Sequence, residues 1–450
     1  MGRMFGTNGV RGIVNSDMTV ELALQMGKAI GSMYKGVVAI ATDTRSSAEM
    51  IRLAVSSGLM SVGVKVLNIG VLPTPALQYY VKTHGNVDGG VMITASHNPP
   101  QFNGIKCISH DGTEANRAEE EGIEELYATE IPTVPWNSLG MTEDVSGVAE
   151  AYIDEILNHV DVELIRASGL KVTVDCANGA AFNTTPMLLR RLNVKSVTLN
   201  CNPEGEIPDH PSEPTEENLG ELIAMTQYSE SDLGIAHDGD ADRCVFITRS
   251  GKYVSGDKSL ALMCRYALDR RKGSVVTPVS TSSMVEEVVV SNGGTIDYTA
   301  VGSPIVARRM MDSGAVFGGE ENGGLIFPEI QYCRDGAMTL AKMIELIVRN
   351  GPLDDQIATL PVYHTFKVKV ECPDKLKDRV IRHIINMSSD QKVDDTDGLK
   401  IPYDDGWVLT RPSGTEPLFR IYSESKDEDV ALARARKYEK MVTDFLAENR

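Results

Sequence analysis

Cysteine, tryptophan and positive charge are all scarce in this 450-residue chain. The seven cysteines (Cys107, Cys176, Cys201, Cys244, Cys264, Cys333, Cys372) are odd in number and widely spread without a CxxC pair, so they read as reduced, packed thiols. Lys and Arg number 44 against 63 Asp and Glu, a formal charge of −19, so the surface repels nucleic acid phosphates and anionic membranes. Neither is an expected partner. No stretch approaches the about eighteen uncharged apolar residues of a membrane span; the richest, 66–81, is interrupted by Pro73 and Pro75. The opening MGRMFGTNGVRG has no apolar core or small-residue cleavage site, and a cytoplasmic setting is expected. GxGxxG is absent, and the near-Walker stretch 251–259 has Asp257 where GK[ST] demands Lys, so neither a dinucleotide enzyme nor a P-loop ATPase is supported.

What is present is a globular composition, 42% hydrophobic and 24% charged. At roughly 150 residues per domain the length suggests about three domains. A repeat organises them. Residues 37–41 form a β-branched run ending in the polar loop TDTRSS, followed by a helical stretch at 48–62, a strand at 65–69 ending in GVLPTP, a helical stretch at 76–83, and a strand at 90–93 running into TASHNP. The order recurs with strands at 171–174, 196–199 and 233–236, the last entering HDGDADR, and again at 274–278, 295–298 and 315–317, entering GGEENGG. Short apolar strands alternating with helices require crossovers, hence mainly parallel sheets covered on both faces. Ligands bind at the carboxyl ends of such strands, so each third loop is a candidate site wall. Beyond Pro361 the pattern changes: 365–371 alternates as a half-buried strand, 374–387 reads helical, strands at 407–410 and 419–423 flank RPSGTEP, and Ala431, Ala435, Tyr438, Val442 and Phe445 form an apolar stripe. The expected fold class is α/β: three similar α/β domains, 1–148, 149–251 and 252–362, then a smaller α+β domain, 363–450.

The loops carry the chemistry. HDGDADR sets Asp238, Asp240 and Asp242 at alternate positions. Two carboxylates about 5 Å apart repel by about 3 kcal/mol at an effective dielectric near 20, so converging acids call for a cation. Mg²⁺, which takes hard oxygen ligands and completes its shell from water or phosphate, suits them. An EF-hand is excluded, because its sixth and twelfth positions hold Arg243 and Arg249. In TASHNP, Ser96 ends an apolar strand without the GxSxG of a hydrolase elbow; its hydroxyl would instead carry a phosphoryl group beside the metal, and read alone it is equally a turn residue. Glu320, Glu321 and Asn322 lie between glycines and offer the carboxylate and amide groups that sugar hydroxyls need, although a plain glycine-rich turn would look similar. In RPSGTEP, Arg411 offers a planar fork while Ser413, Gly414 and Thr415 turn amides and hydroxyls inward, a grip for a phosphate dianion.

Taken together and in this order, TASHNP, DGDADR, GEENGG and RPSGTEP resemble the α-D-phosphohexomutase family across nearly the whole chain. The resemblance implies four domains, each giving one loop to a central cleft. It implies that Ser96 is the phosphoserine, that Asp238, Asp240 and Asp242 with Ser96 hold Mg²⁺, and that Arg243 stands beside them. Arg11 in GVRG and Lys106 in NGIK match cations near the transferring phosphoryl group, Lys106 being the proton-transfer residue. Glu320 and Asn322 match sugar-binding positions; Arg411, Ser413, Gly414 and Thr415 match the grip on the unreactive phosphate. The chain departs from many members at Asn322, where they have Ser, at Gly324, where they have His, and around Gly302 and Ser303, where the family's sugar-loop His is missing. The opening FGTNGVRG is closer to FGTDGIRG of phosphoglucosamine mutases than to FxAYDIRG of phosphomannomutases. The implied reaction is glucosamine 6-phosphate to glucosamine 1-phosphate through a 1,6-bisphosphate, by a monomer or homodimer acting on a small sugar phosphate. The alternative substrates are mannose and glucose phosphates. Two further readings remain open: an aspartyl phosphatase of the DxDx[TV] kind, weakened by Asp242 in the Thr/Val place, and a sugar phosphate sensor without turnover.

Overall fold

The structure is a computed structural model that describes residues 4–6, 9–203, 211–387, 393–413 and 417–449. Two compact units emerge, Met1–Ser259 with Asn322–Ala358, and Leu260–Glu321 with Thr359–Arg450.

The first unit holds two sheets of the same design. In one, Val37–Thr42 lies between Lys65–Val71 and Gly89–Ile93; in the other, Lys171–Asp175 lies between Lys195–Leu199 and Leu233–His237, and all these pairings are parallel. The second unit repeats the arrangement, with Ser274–Pro278 between Thr295–Thr299 and Phe317–Gly319. These are the strands that the repeat in the sequence marks. The last lies two residues later than the apolar run 315–317, because Gly318 and Gly319 extend it and glycine carries no strand signal.

What the repeat did not reveal are the antiparallel strands. Phe102–Ser109 folds back on Gly89–Ile93, with Val10–Ile13 beyond it, and Cys244–Thr248 folds back on Leu233–His237. TASHNP and HDGDADR are therefore not connections into a helix. Each is pinned at both ends by paired, buried strands, a stiffer mounting than a free crossover loop. Short, fully buried strands offer no alternation from which to read direction.

The other sheet of the second unit is antiparallel throughout, in the order His364–Glu371, Leu418–Ser425, Gly406–Pro412, Leu399–Tyr403. The helices Asp374–Met387 and Glu428–Glu448 supply its core. Ala431, Ala435, Tyr438 and Val442 are buried as expected. Leu446 completes the stripe; Phe445 packs at its margin against the His383 ring, centroids 4.8 Å apart. Among the described residues no helix is long and apolar enough to cross a membrane.

Candidate active site

Ser96 leaves the strand Gly89–Ile93 in a left-handed conformation, φ 53°. A non-glycine residue there costs of order 1 kcal/mol or more, and the surroundings must hold it. Its N–H donates to Thr94 Oγ1 at 2.9 Å and its carbonyl accepts from Arg45 Nη2 at 2.8 Å. The hydroxyl donates to Asp238 Oδ2 at 2.8 Å, so the strained turn aims it at the acidic loop. Gly239 makes the approach possible: a Cβ there would stand 2.4 Å from the Ser96 carbonyl oxygen.

Asp238, Asp240 and Asp242 are all buried, and each can present an oxygen within 4.8 Å of the others. Each already has a partner, and Asp238, which also accepts from Ser96, has one on both oxygens. Asp240 Oδ2 accepts from Thr74 Oγ1 and Lys106 Nζ, both at 2.6 Å; Asp238 Oδ1 accepts from the Arg243 N–H at 3.2 Å; Asp242 Oδ2 is bonded by Arg334 Nη2 and lies 3.6 Å from Lys106 Nζ. Asp240 Oδ1 and Asp242 Oδ1 are buried with no hydrogen-bond partner. Buried carboxylate oxygens left bare are costly, and three converging hard oxygens fit a divalent cation. Burial and then the charges of Asp242 and Asp240 push the Asp238 carboxyl up to about 7. Burial alone would raise Asp240 too, but Lys106, by charge and hydrogen bond, holds it well below the carboxylate range. Lys106 itself is fully buried, which disfavours its charge, yet Asp240 and Asp242 more than offset this and raise its pKa.

Arg11 Nη1 donates to Asn98 Oδ1 at 2.7 Å and to the Ala95 carbonyl at 3.2 Å, which places it beside the serine loop. Arg243 Nε stands 3.7 Å from Asp238 and 3.9 Å from Asp242. His97 is half-buried, and burial followed by Arg243 and Arg11 lowers its pKa to about 2, so it is a neutral ring at working pH. Ser96, Lys106, Arg11, Arg243 and the acidic triad are thus brought together within the first unit.

The remaining expected residues divide. Asn322 belongs to the first unit, where its Oδ1 accepts from the Gly324 N–H at 3.0 Å. Glu320, buried, and Glu321 belong to the second. So do Arg411, which pairs with Asp397 Oδ2 at 3.0 Å, and Ser413, whose carbonyl accepts from Lys377 Nζ at 2.6 Å. Gly414 and Thr415 lie outside the described residues.

Several residues escaped the sequence reading. Arg45, in TDTRSS, is buried and ties the serine loop together. It binds Asp43 Oδ2 at 3.0 Å and donates to the carbonyls of Ser96, Asn98, Pro99 and Phe102, with distances of 2.6–3.0 Å. Thr74, in GVLPTP, holds Asp240 through its backbone N–H as well as its hydroxyl. The only signal for either was a polar residue at the carboxyl end of a buried strand. Arg45→Met would leave Asp43 buried without its cation, at a cost of about 3–5 kcal/mol. Arg45→Lys recovers little of this, because an ammonium cannot serve so many carbonyls at once. Chemical unfolding of the two variants beside the parent checks both statements.

Comparison with known proteins bears on the same residues. Residues 2–133, 150–251, 255–363 and 368–440 match, in turn, the α/β/α domains I, II and III and the C-terminal domain of phosphoglucomutase/phosphomannomutase. The chain is 42% identical over 449 residues to a phosphoglucomutase/phosphomannomutase of Thermococcus kodakarensis, covering 97% of each chain. It is 41% identical over 455 residues to a phosphoglucosamine/phosphogalactosamine mutase of Sulfurisphaera tokodaii, covering 98% of this chain and 99% of the other. Among solved structures, a phosphoglucomutase/phosphomannomutase family protein of Burkholderia thailandensis superposes with a TM-score of 0.88 at 26% identity, over 98% of both chains.

Proposed function

The chain belongs to the phosphoglucomutase/phosphomannomutase family, and from that premise we propose that it is a mutase interconverting glucosamine 6-phosphate and glucosamine 1-phosphate through a phosphorylated Ser96. The observation that carries the reading is the Ser96 hydroxyl, 2.8 Å from a buried acidic triad that retains two bare oxygens. An aspartyl phosphatase would need a free Asp238 oxygen as nucleophile, whereas Oδ2 accepts from the Ser96 hydroxyl and Oδ1 from the Arg243 N–H.

In the forward direction a sugar hydroxyl attacks the phosphorus of phospho-Ser96 and the bond to Oγ breaks. The sugar then carries phosphate at both ends, a hexosamine 1,6-bisphosphate. After it turns end over end, Ser96 Oγ attacks the other phosphorus and the isomer departs. Asp238, Asp240 and Asp242 with the Ser96 oxygen would hold Mg²⁺, which when bound supplies Lewis-acid stabilisation of the transferring group. Lys106, kept protonated by Asp240, enters as a fixed cation and, in the second half, donates a proton to the sugar oxygen that departs as Ser96 Oγ attacks; in the first half the proton lost by the attacking hydroxyl is balanced by the one Ser96 Oγ gains. Arg11 and Arg243 face the charge that develops on the phosphoryl oxygens. Most of the acceleration comes from this alignment and charge stabilisation. Arg411 and Ser413 grip the phosphate that is not reacting, and Glu320 and Asn322 take the hydroxyls.

The hexosamine preference rests on the opening FGTNGVRG and on relatives such as the Sulfurisphaera enzyme. The Thermococcus relative's name favours glucose and mannose phosphates as the second reading. A parallel assay with glucosamine, glucose and mannose 1-phosphates decides between them, the glucosamine substrate giving the highest kcat/KM. Glu321 is the residue proposed to read the 2-amino group. Glu321→Gln is expected to lower the glucosamine-to-glucose ratio of kcat/KM by about tenfold, the worth of one hydrogen bond to a charged group. An unchanged ratio removes Glu321 from that role.

A further inference from the structure

The sequence departs from many family members at Gly324, where they carry His, and the structure contains a physical counterpart to that departure. A Cβ at Gly324 would stand 2.2 Å from Arg334 Cδ and 2.9 Å from its Cγ. The space a side chain at 324 would fill is occupied by the arginine. Arg334 is 6% exposed, and its Nη2 bonds Asp242 Oδ2.

Its backbone is held as tightly as its side chain. Arg334 bridges Ile326, and the next residue, Asp335, donates its N–H to the Leu325 carbonyl at 2.9 Å. Asp335 then caps the helix Gly336–Asn350, accepting from the Met338 N–H at 2.9 Å, from Tyr152 Oη at 2.5 Å and from Gln331 Nε2 at 3.0 Å. The same helix start lies against the acidic loop, since a Cβ at Gly336 would stand 2.6 Å from the Ala241 carbonyl oxygen. A stiff segment thus delivers one guanidinium to one carboxylate.

We infer that Arg334 is a positioning residue for the metal-binding loop: it fixes Asp242 so that Oδ1 faces the acidic cluster, and it can do so only because residue 324 has no side chain. Without Arg334, the cations left near the Asp242 carboxylate among the described residues are Lys106, 3.6 Å from Oδ2 and already committed to Asp240 at 2.6 Å, and Arg243 Nε, 3.9 Å from Oδ1, neither within hydrogen-bond distance. The carboxylate would then be free to rotate. A side chain at 324 and the Arg334 side chain in its present position compete for the same space.

The inference rests on the mutase reading for its purpose but not for its test, which uses Mn²⁺ alone, titrated into the full chain and followed by electron paramagnetic resonance and calorimetry. Arg334→Met keeps most of the packing volume and is expected to weaken Mn²⁺ binding by about tenfold or more, as loss of a hydrogen bond to a metal ligand does elsewhere. With saturating Mg²⁺, kcat should fall while KM for the sugar phosphate changes little, and Arg334→Lys should recover part of both losses. Gly324→Ala should reproduce the defect by displacing Arg334. Adding it to Arg334→Met should cost nothing more, whereas independent sites would add. Wild-type Mn²⁺ affinity in Arg334→Met overturns the inference. If that variant does not fold, wild-type affinity in Gly324→Ala overturns it equally. Altered Mn²⁺ binding in a chain that isomerises no sugar phosphate would instead sink the mutase reading and leave this one standing.

Discussion

Ser96→Ala is expected to abolish isomerisation, with kcat falling by about 10³-fold or more, because removing a nucleophile leaves only binding and electrostatics. The reason is local. The Ser96 hydroxyl is the group that the left-handed turn, Gly239 and the Arg45 network together aim at the acidic triad. Alanine keeps the backbone bonds to Thr94 and Arg45, so the loss should come without a comparable loss of stability. The parent protein incubated with a hexose 1,6-bisphosphate should gain the mass of one phosphoryl group on a peptide containing Ser96, and Ser96→Ala should gain none. Turnover by the variant at the parental rate would end the covalent account.

The second large effect separates two aspartates that look alike in sequence. Asp238→Asn and Asp240→Asn should each reduce activity by about 10²-fold or more, by removing a ligand oxygen from the proposed metal site. Their effects on the stability of the metal-free protein should differ. Asp240 compensates the buried Lys106 ammonium at 2.6 Å, so Asp240→Asn strands a buried charge at a cost of about 3–5 kcal/mol. Asp238 is a carboxyl whose folded pKa, about 7, is raised by burial and by its acidic neighbours. An acid raised on folding contributes stability that is present below its unfolded pKa and lost as pH climbs through the folded one. At about pH 8 an ionised Asp238 therefore opposes folding, and Asp238→Asn should leave the metal-free protein as stable as the parent or more so. Chelator-treated samples, unfolded by denaturant, compare the two. Equal destabilisation would contradict this division of roles.

The loops were legible because their chemistry is contiguous. HDGDADR places three acids within five residues, and TASHNP places one hydroxyl at the end of an apolar run; neither needs a partner to be recognised. The parallel strands were legible because β-branched runs alternate with helices three times over. The strand after each loop was not, since Phe102–Ser109 buries Asn103, Lys106 and Ser109 and shows no apolar run, and Cys244–Thr248 is buried throughout and shows no direction. Arg45, Thr74 and Arg334 were not legible as site residues at all. Each acts across 51, 166 or 92 positions of chain, and each sits in a segment whose own composition is that of an ordinary turn.

The sequence by itself determined the repeat and the family and singled out the candidate reacting groups, because short-range order and residue chemistry carry those. Only the tertiary structure decided that both oxygens of Asp238 are engaged while one of Asp240 and one of Asp242 remain bare, and that the void at Gly324 belongs to Arg334. Hydrogen-bond direction and excluded volume are properties of atoms brought together from distant positions, and no local pattern encodes them.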